Sequence, residues 1–190
     1  MLALVAALAL AQTDASTLVN EHSRALDGEL GQAIAITAWG GASVIAGTII
    51  AAAKHDDKWW LTHGLMHASV GAINVGFGIL GLVQHQNEKR TLAEKLALEG
   101  DAVRAYQQEL IARHRGSATI YALNFGLDVA YLTAGALLWA IGQRMTKNDV
   151  MFGMGVAGVI QGAALFIYDL TSWMLAEQRG TVMARLRFSL

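Results

Sequence analysis

The chain alternates between long apolar stretches and short polar ones, and the apolar stretches have the length of membrane-spanning helices. Four of them could cross about 30 Å of hydrocarbon at ~1.5 Å per residue. They cover residues 32–53, 59–83, 118–142 and 150–176. Four tryptophans fall near span ends, where aromatic belts form: Trp59, Trp60, Trp139 and Trp173. The pattern predicts an all-α, integral membrane four-helix bundle.

Polar segments of two lengths connect the spans. The short turns 54–58 (KHDDK) and 144–149 (RMTKND) predict two antiparallel hairpins. A longer link, about residues 86–115, joins the hairpins. Its near-heptad apolar positions predict an amphipathic helix, interrupted at Gly100, that lies on the membrane surface or packs on the bundle. These positions are Leu92, Leu96, Val103, Tyr106 and Leu110.

The first residues have the pattern of a cleaved leader. Residues 1–11 form an apolar run that ends in Ala9-Leu10-Ala11, although no Lys or Arg precedes it. We therefore divide the chain into a candidate signal peptide (1–11), an N-terminal tail (12–30), a transmembrane domain (31–177) and a C-terminal tail (178–190). Charge leaves the orientation open, because the tails and link hold most of the 14 Lys and Arg residues while the short turns hold them more densely.

Composition narrows the class of protein. Hydrophobic residues make up 54% of the chain and charged residues 15%, which is too apolar for an ordinary soluble domain. A net charge of −1 offers no basic face to neutralise phosphates, so we expect a lipid bilayer as partner and no nucleic acid. The absence of cysteine excludes disulfides and thiolate-ligated metals, and the absence of proline predicts unbroken helices.

Polar side chains interrupt the second, third and fourth spans at similar depths. Counting residues from the N-tail side places five of them within a slab ~9 Å thick, and two more continue the layer deeper. Within each span these residues mostly return to one helical face, which must point into the bundle because a carboxylate facing lipid is costly. The predicted layer comprises Asn74, Asn124, Asp128, Tyr131, Gln161, Tyr168 and Asp169.

Three functions are compatible with this layer. It could organise the bundle by interhelical hydrogen bonds and bind a small polar ligand, which is our leading interpretation. Alternatively, it could be the ion or proton pathway of a small transporter or channel-like protein. A metal or haem site is the third, since His63 and His67 lie at i and i+4. Outside the spans, His22, His85 and His114 could form a second cluster. The sequence contains no catalytic signature, so we predict neither an enzyme nor a cofactor.

Small residues favour close helix packing. Gly158 and Gly162 form a GxxxG pattern in the fourth span, and glycines also recur in the second. Such positions let helix backbones approach within one chain, and a homo-oligomer interface is the alternative.

Several stretches resemble a family of bacterial four-helix membrane proteins of unknown function. They include LNFGLDVAYLTAGALL (123–138), with its GLDxxY motif, and FGMGVAGVIQGAALFIYDL (152–170), with its QG…D motif. The resemblance implies the same fold and a multi-pass location in the bacterial inner membrane, but no activity. Gly41-Ala42-Ser43 departs from the pattern, which leaves the contribution of the first span open. The positions that the resemblance picks out are Asn20, Arg24, Trp39, Asn74, Asn124, Asp128, Tyr131, Gln161 and Asp169.

Overall fold

A computed structural model describes residues 2–145 and 147–186, with side chains from Ala15 onward. The described chain forms four long helices: α1 (Leu2–Ala53), α2 (Lys58–Lys95), α3 (Asp101–Ala140) and α4 (Asp149–Arg185). A five-residue π-helical segment, Ile141–Met145, prolongs α3. Each helix contains an 18-residue stretch with a mean hydropathy between 1.5 and 2.0, so all four are long and apolar enough to cross a membrane.

Polar side chains in the two short turns start the helices that follow. The Asp57 carboxylate accepts hydrogen bonds from the backbone nitrogens of Trp59 (3.0 Å) and Trp60 (3.3 Å). The Asn148 side chain accepts one from Met151 N at 3.1 Å. These caps satisfy backbone donors that have no partner in the first helical turn. The turns therefore fix where α2 and α4 begin.

Glycines set the contact between α1 and α2. A Cβ atom added at Gly40 would lie 2.6 Å from the Gly71 carbonyl oxygen, and one added at Gly47 would lie 2.5 Å from that of Gly64. Residue numbers thus rise along α1 as they fall along α2. Only glycine leaves room for backbones this close.

The second hairpin is built in the same way and packs on the first through α2 and α4. A Cβ added at Gly135 on α3 would lie 2.8 Å from Val159 N, and one at Gly153 on α4 would lie 2.5 Å from the Trp59 carbonyl oxygen on α2. Helix α1, in contrast, touches α4 at few points. Three other glycines of α4, Gly155, Gly158 and Gly162, meet α3 within the chain.

The apolar side chains of the spans face outward. Phe77, Leu123 and Ile167 are each more than 60% exposed, whereas Ile36 is the one large apolar side chain of the described spans that is buried. The buried positions of the spans are otherwise small or polar. This distribution is the reverse of a water-soluble core.

The helices extend well beyond the predicted spans. The tail at 12–30 belongs to α1, and residues 178–185 belong to α4. The predicted link helix is not a separate element, because its first part continues α2 and its second part begins α3 after a break at residues 96–100. Gly100 occupies the break with φ +53°, a conformation that favours glycine.

A conventional apolar core explains these extensions. Leu18 on α1, Tyr106 and Leu110 on α3 and Met183 on α4 are buried together, with Leu92 of α2 packed against them. The apolar stripe of the link thus packs on the bundle, which is one of the two positions predicted for it. Each extension buries its apolar side at this end of the molecule.

The remaining predicted segments lie partly outside the described residues. The backbone of Leu2–Ala11 is helical, but Met1 and the side chains before Ala15 are outside the described part. Residues 187–190 of the predicted tail are also outside it. The signal peptide therefore stays a prediction.

The glycine contact of the first hairpin predicts a position-specific cost. Gly47→Ala should lower the free energy of unfolding by about 1–3 kcal/mol, because the added Cβ would meet the backbone of α2. Gly41→Ala is the matched control, since its Cβ would meet nothing within 4 Å. Thermal melting followed by circular dichroism in detergent compares the two. Equal melting temperatures for both variants would contradict the close approach.

Candidate functional site

One glutamine connects three helices. Gln161 on α4 is 2% exposed, and its Oε1 accepts a hydrogen bond from Trp39 Nε1 on α1 at 3.0 Å. Its Nε2 donates to Ser43 Oγ on α1 at 3.0 Å and to His67 Nδ1 on α2 at 2.6 Å. Both donor positions of the amide and its acceptor are therefore used. We call Gln161 and these three partners the glutamine hub.

Two carboxyl groups meet between α3 and α4. Asp128 is 4% exposed and Asp169 is 6% exposed, and their side chains lie within hydrogen-bonding reach of each other. Asn124, one turn before Asp128, also bonds Asp169. Two carboxyl groups can hydrogen-bond directly only when one of them carries a proton. We call Asp128, Asp169 and Asn124 the carboxyl pair site.

Two buried polar atoms at this depth have no hydrogen-bond partner among the described residues: Asn74 Nδ2 and Asp128 Oδ2. Helices α2 and α4 run side by side in the same direction, since Trp59 meets Gly153 and His67 meets Gln161. Asn74 lies seven residues beyond His67, and Asp169 eight residues beyond Gln161. At ~1.5 Å per residue, both lie about 11 Å from the glutamine hub. A free donor and a free acceptor therefore occupy the same level.

The structure divides the predicted layer. Gln161 belongs to the hub, while Asn124, Asp128 and Asp169 form the carboxyl pair site. Tyr168 bonds Tyr121 and Ser172 instead of the carboxyl pair. Tyr131 does not join the buried layer, because its side chain is 53% exposed on the outer side of α3. Its three-residue spacing from Asp128 turns it out of the interface.

Some residues of the site have weak sequence signals. Ser43 lies in the stretch where the family pattern is interrupted, yet it completes the hub together with Trp39, four residues earlier. That i, i+4 spacing is the signal that could have identified it. Ser172, 1% exposed, resembles any small helical residue in sequence. Through Trp39 and Ser43, the first helix therefore contributes to the polar interior.

His67 has a hydrogen-bond partner on α4, and His63 packs against an aromatic ring of its own helix. Their ring centroids are 4.6 Å apart, but His67 Nδ1 meets Gln161 and the His63 ring stacks on Trp59 with centroids 5.2 Å apart. Within the described chain, no group of three or more His, Asp or Glu side chains could hold a metal ion. The pair offers no third ligand.

A second polar cluster joins all four helices at the N-tail end. Arg113 on α3 bonds Glu88 on α2 and Glu29 on α1, the latter at 2.8 Å. Arg179 on α4 lies 3.9 Å from the same Glu29, and His114 lies 3.8 Å from it. We call this the end network. It includes His22, whose Nδ1 is hydrogen-bonded to the Tyr106 hydroxyl, whereas His85 bonds the Leu26 carbonyl oxygen at 3.0 Å.

Burial keeps two histidines of the end network neutral. Desolvation, and then the charge of Arg113, lowers the pKa of His22 to about 4. Desolvation, followed by Arg113 and Arg179, also lowers the pKa of His114 to about 4. Glu88 lies 3.3 Å from His22 Nε2, but Arg113 bonds the same carboxylate oxygen and offsets its charge. Desolvation also raises the pKa of Tyr106 to about 12, so its hydroxyl stays protonated beside His22.

These pKa shifts predict a loss of stability in mild acid. Between pH 6.5 and about 4 the unfolded chain takes up protons on His22 and His114 that the folded chain does not bind, so stability falls as pH falls. Each histidine contributes a slope of at most ~1.4 kcal/mol per pH unit. His114→Gln should remove one of the two contributions, as measured by melting temperature from pH 7 to 4.

The exposed His55 gives the matched control. His55→Gln should keep the wild-type pH dependence, because this side chain lies in the turn before α2 and is 70% exposed. A His114→Gln profile as steep as that of the wild type would show that His114 is not held neutral by the fold.

Comparison with known proteins gives a family and no activity. A model of the family described as "Family of unknown function (DUF6992)" matches residues 35–170, which include the hub, the carboxyl pair site and most of each of the four spans. No curated protein and no solved structure matches the chain. The chain belongs to this family of unknown function, DUF6992.

Proposed function

We propose that the protein is a multi-pass membrane protein of two antiparallel hairpins, located in the inner membrane of a bacterium. The contrast between the packing of its spans and the packing beyond them supports this. Along the spans the large apolar side chains point outward, while beyond the spans Leu18, Leu110 and Met183 are buried as in a water-soluble protein. One chain thus has a membrane type of packing in its apolar part and an aqueous type beyond it.

Within this bundle the glutamine hub organises the hairpins. Gln161 bonds both helices of the first hairpin from its position on the second. An interhelical hydrogen bond inside a membrane contributes only ~0.6 kcal/mol on average, but three bonds from one amide select one register among several. The hub is therefore structural.

The carboxyl pair site binds a small polar ligand. The observation that carries this proposal is the free acceptor on Asp128 at the level of the free donor on Asn74. Buried polar groups are almost always hydrogen-bonded, so a donor and an acceptor left free at one depth favour a shared partner. That partner would donate to Asp128 Oδ2 and accept from Asn74 Nδ2. A small molecule with both functions, such as an amide or an alcohol, meets the requirement.

Two variants test the organising role and the binding role separately. Gln161→Leu should destabilise the bundle by about 1–3 kcal/mol, since it leaves Trp39 and Ser43 without partners. Asp128→Asn should leave the bundle folded, because the amide oxygen can still bond Asp169, while its NH2 group replaces the free acceptor Oδ2. Thermal melting of the two variants and the wild type in detergent would show both effects. The proposed membrane location has its own test, which is whether the protein resists extraction from membranes with alkaline carbonate.

The binding role is tested by stabilisation with small molecules. Formamide, acetamide, urea, glycerol, ammonium and sodium are added at graded concentrations, and a compound that binds the folded state should raise the melting temperature as its concentration exceeds its Kd. The rise should occur in the wild type and be lost in Asp128→Asn and Asp169→Asn. Asp56→Asn, in an exposed turn, is the matched control.

The same purified proteins also test a transport role. Reconstituted protein is assayed for pH-dependent ion flux, which an ion pathway through the carboxyl pair would produce and a closed binding site would not. If the wild type, Asp128→Asn and Asp169→Asn behave alike in stabilisation and in flux, both carboxyl groups are structural and the binding proposal fails.

A further inference from the structure

A groove separates α1 from α4 on the side of the bundle where these helices scarcely touch. Its volume is about 500 Å³. On α1 it is lined by small side chains, including Gly28, Gly31 and Ala35, and on α4 by apolar ones, including Ile167 and Leu175. It runs along twelve residues of each helix, 28–39 and 164–175, and the eleven steps between the first and the last at ~1.5 Å each make about 16 Å. The groove is therefore elongated along the helix axes.

The polar groups of the groove are concentrated at one end. Gln32 lines it and has a buried Nε2 without a hydrogen-bond partner in the described chain, while its Oε1 accepts from Arg179 at 3.0 Å. The Arg179 guanidinium lies over Gly28, where an added Cβ would be 2.5 Å from Nη2. Further along, the Thr171 hydroxyl donates to the Ile167 carbonyl oxygen, and the Tyr168 hydroxyl lies within hydrogen-bonding reach of Tyr121 on α3 and Ser172 on α4. The end near Gly28 thus presents an unused donor beside a cation.

The ion pair of Arg179 at this end of the groove is a long one. Arg179 lies 3.9 Å from Glu29, but Glu29 also bonds Arg113 at the shorter distance of 2.8 Å. Arg113 also bonds Glu88, so Arg179 has the weaker carboxylate contact of the two arginines, and its guanidinium can bind a further anion. Arg179 is mostly buried, with a side chain 14% exposed, so its field is less screened than that of a surface arginine.

The shape of the groove selects among occupants. A volume of about 500 Å³ over about 16 Å corresponds to a mean cross-section of about 30 Å². An unbranched hydrocarbon chain is narrow enough. The length and width of the groove therefore suit a single acyl chain lying along the two helices.

We propose that this groove binds an anionic phospholipid, with an acyl chain along α1 and α4 and the phosphate group at Gln32 and Arg179. The orientation agrees with a bilayer, because Gln32 begins the first predicted span and Trp39, at the other end of the groove, lies seven residues further into it. The assignment rests on the proposed membrane location. It is independent of the carboxyl pair site, which lies between α3 and α4.

The experiment measures lipid binding to the purified full chain in a neutral detergent by native mass spectrometry. The probes are phosphatidylglycerol and phosphatidylcholine with identical acyl chains. The wild type should bind one phosphatidylglycerol per chain, at least tenfold more tightly than phosphatidylcholine. Equal affinity for the two lipids would overturn the proposal.

Two pairs of variants locate the site. Gly31→Leu fills the groove and should abolish binding, whereas Gly41→Leu is the matched control, since a Cβ at either position meets nothing within 4 Å. Gln32→Leu removes the free donor and should weaken phosphatidylglycerol binding about tenfold, while Gln86→Leu, an exposed position outside the groove, should not.

The outcomes separate this inference from the membrane location. Circular dichroism and a single gel-filtration peak establish that each variant is folded, and Ala35→Leu replaces Gly31→Leu if the latter is not. Folded Gly31→Leu or Ala35→Leu protein that binds phosphatidylglycerol like Gly41→Leu would overturn the groove as the site. Resistance to carbonate extraction reports the membrane location alone, so failure of one proposal is visible without the other.

Discussion

The structure depends on the close approach of helix backbones at glycine. At Gly40, Gly47, Gly135 and Gly153 a single added carbon would meet the backbone of a neighbouring helix. Helices this close leave no room between them for large side chains. The interior of the spans is consequently filled by small and polar residues, and the large apolar residues point outward. Glycine packing thus determines both the surface and the chemistry of the interior.

The polar interior follows from that geometry. Polar groups confined between closely packed helices must bond one another, because water has little access to them. Gln161 meets this requirement completely, with every donor and acceptor of its amide in use. The carboxyl pair site meets it only in part, since Asp128 Oδ2 has no partner among the described residues. A fully bonded group is suited to holding helices together, and a partly bonded one to binding a ligand.

Beyond the spans the same four helices obey the rules of an aqueous protein. There the helices bury Leu18, Tyr106 and Met183, and Glu29 gathers two arginines from α3 and α4. The end network also places Arg179 beside the groove between α1 and α4. The groove is therefore where the membrane-type and aqueous-type regions of the molecule meet. An amphipathic lipid has the same division between an apolar part and a charged part.

The sequence by itself determined the elements, because hydrophobic length and helical periodicity are local properties of the chain. The four spans, the two turns and the inward side of Asp128 and Gln161 could all be predicted from residue spacing. The pairing of side chains could not, since it depends on how helices rotate against one another. Tyr131 shares the spacing of a buried residue but faces outward, and Ser43 bonds Gln161 from an interrupted motif. Only the tertiary structure decided these contacts, because a rotation of a few tens of degrees exchanges an inward side chain for an outward one.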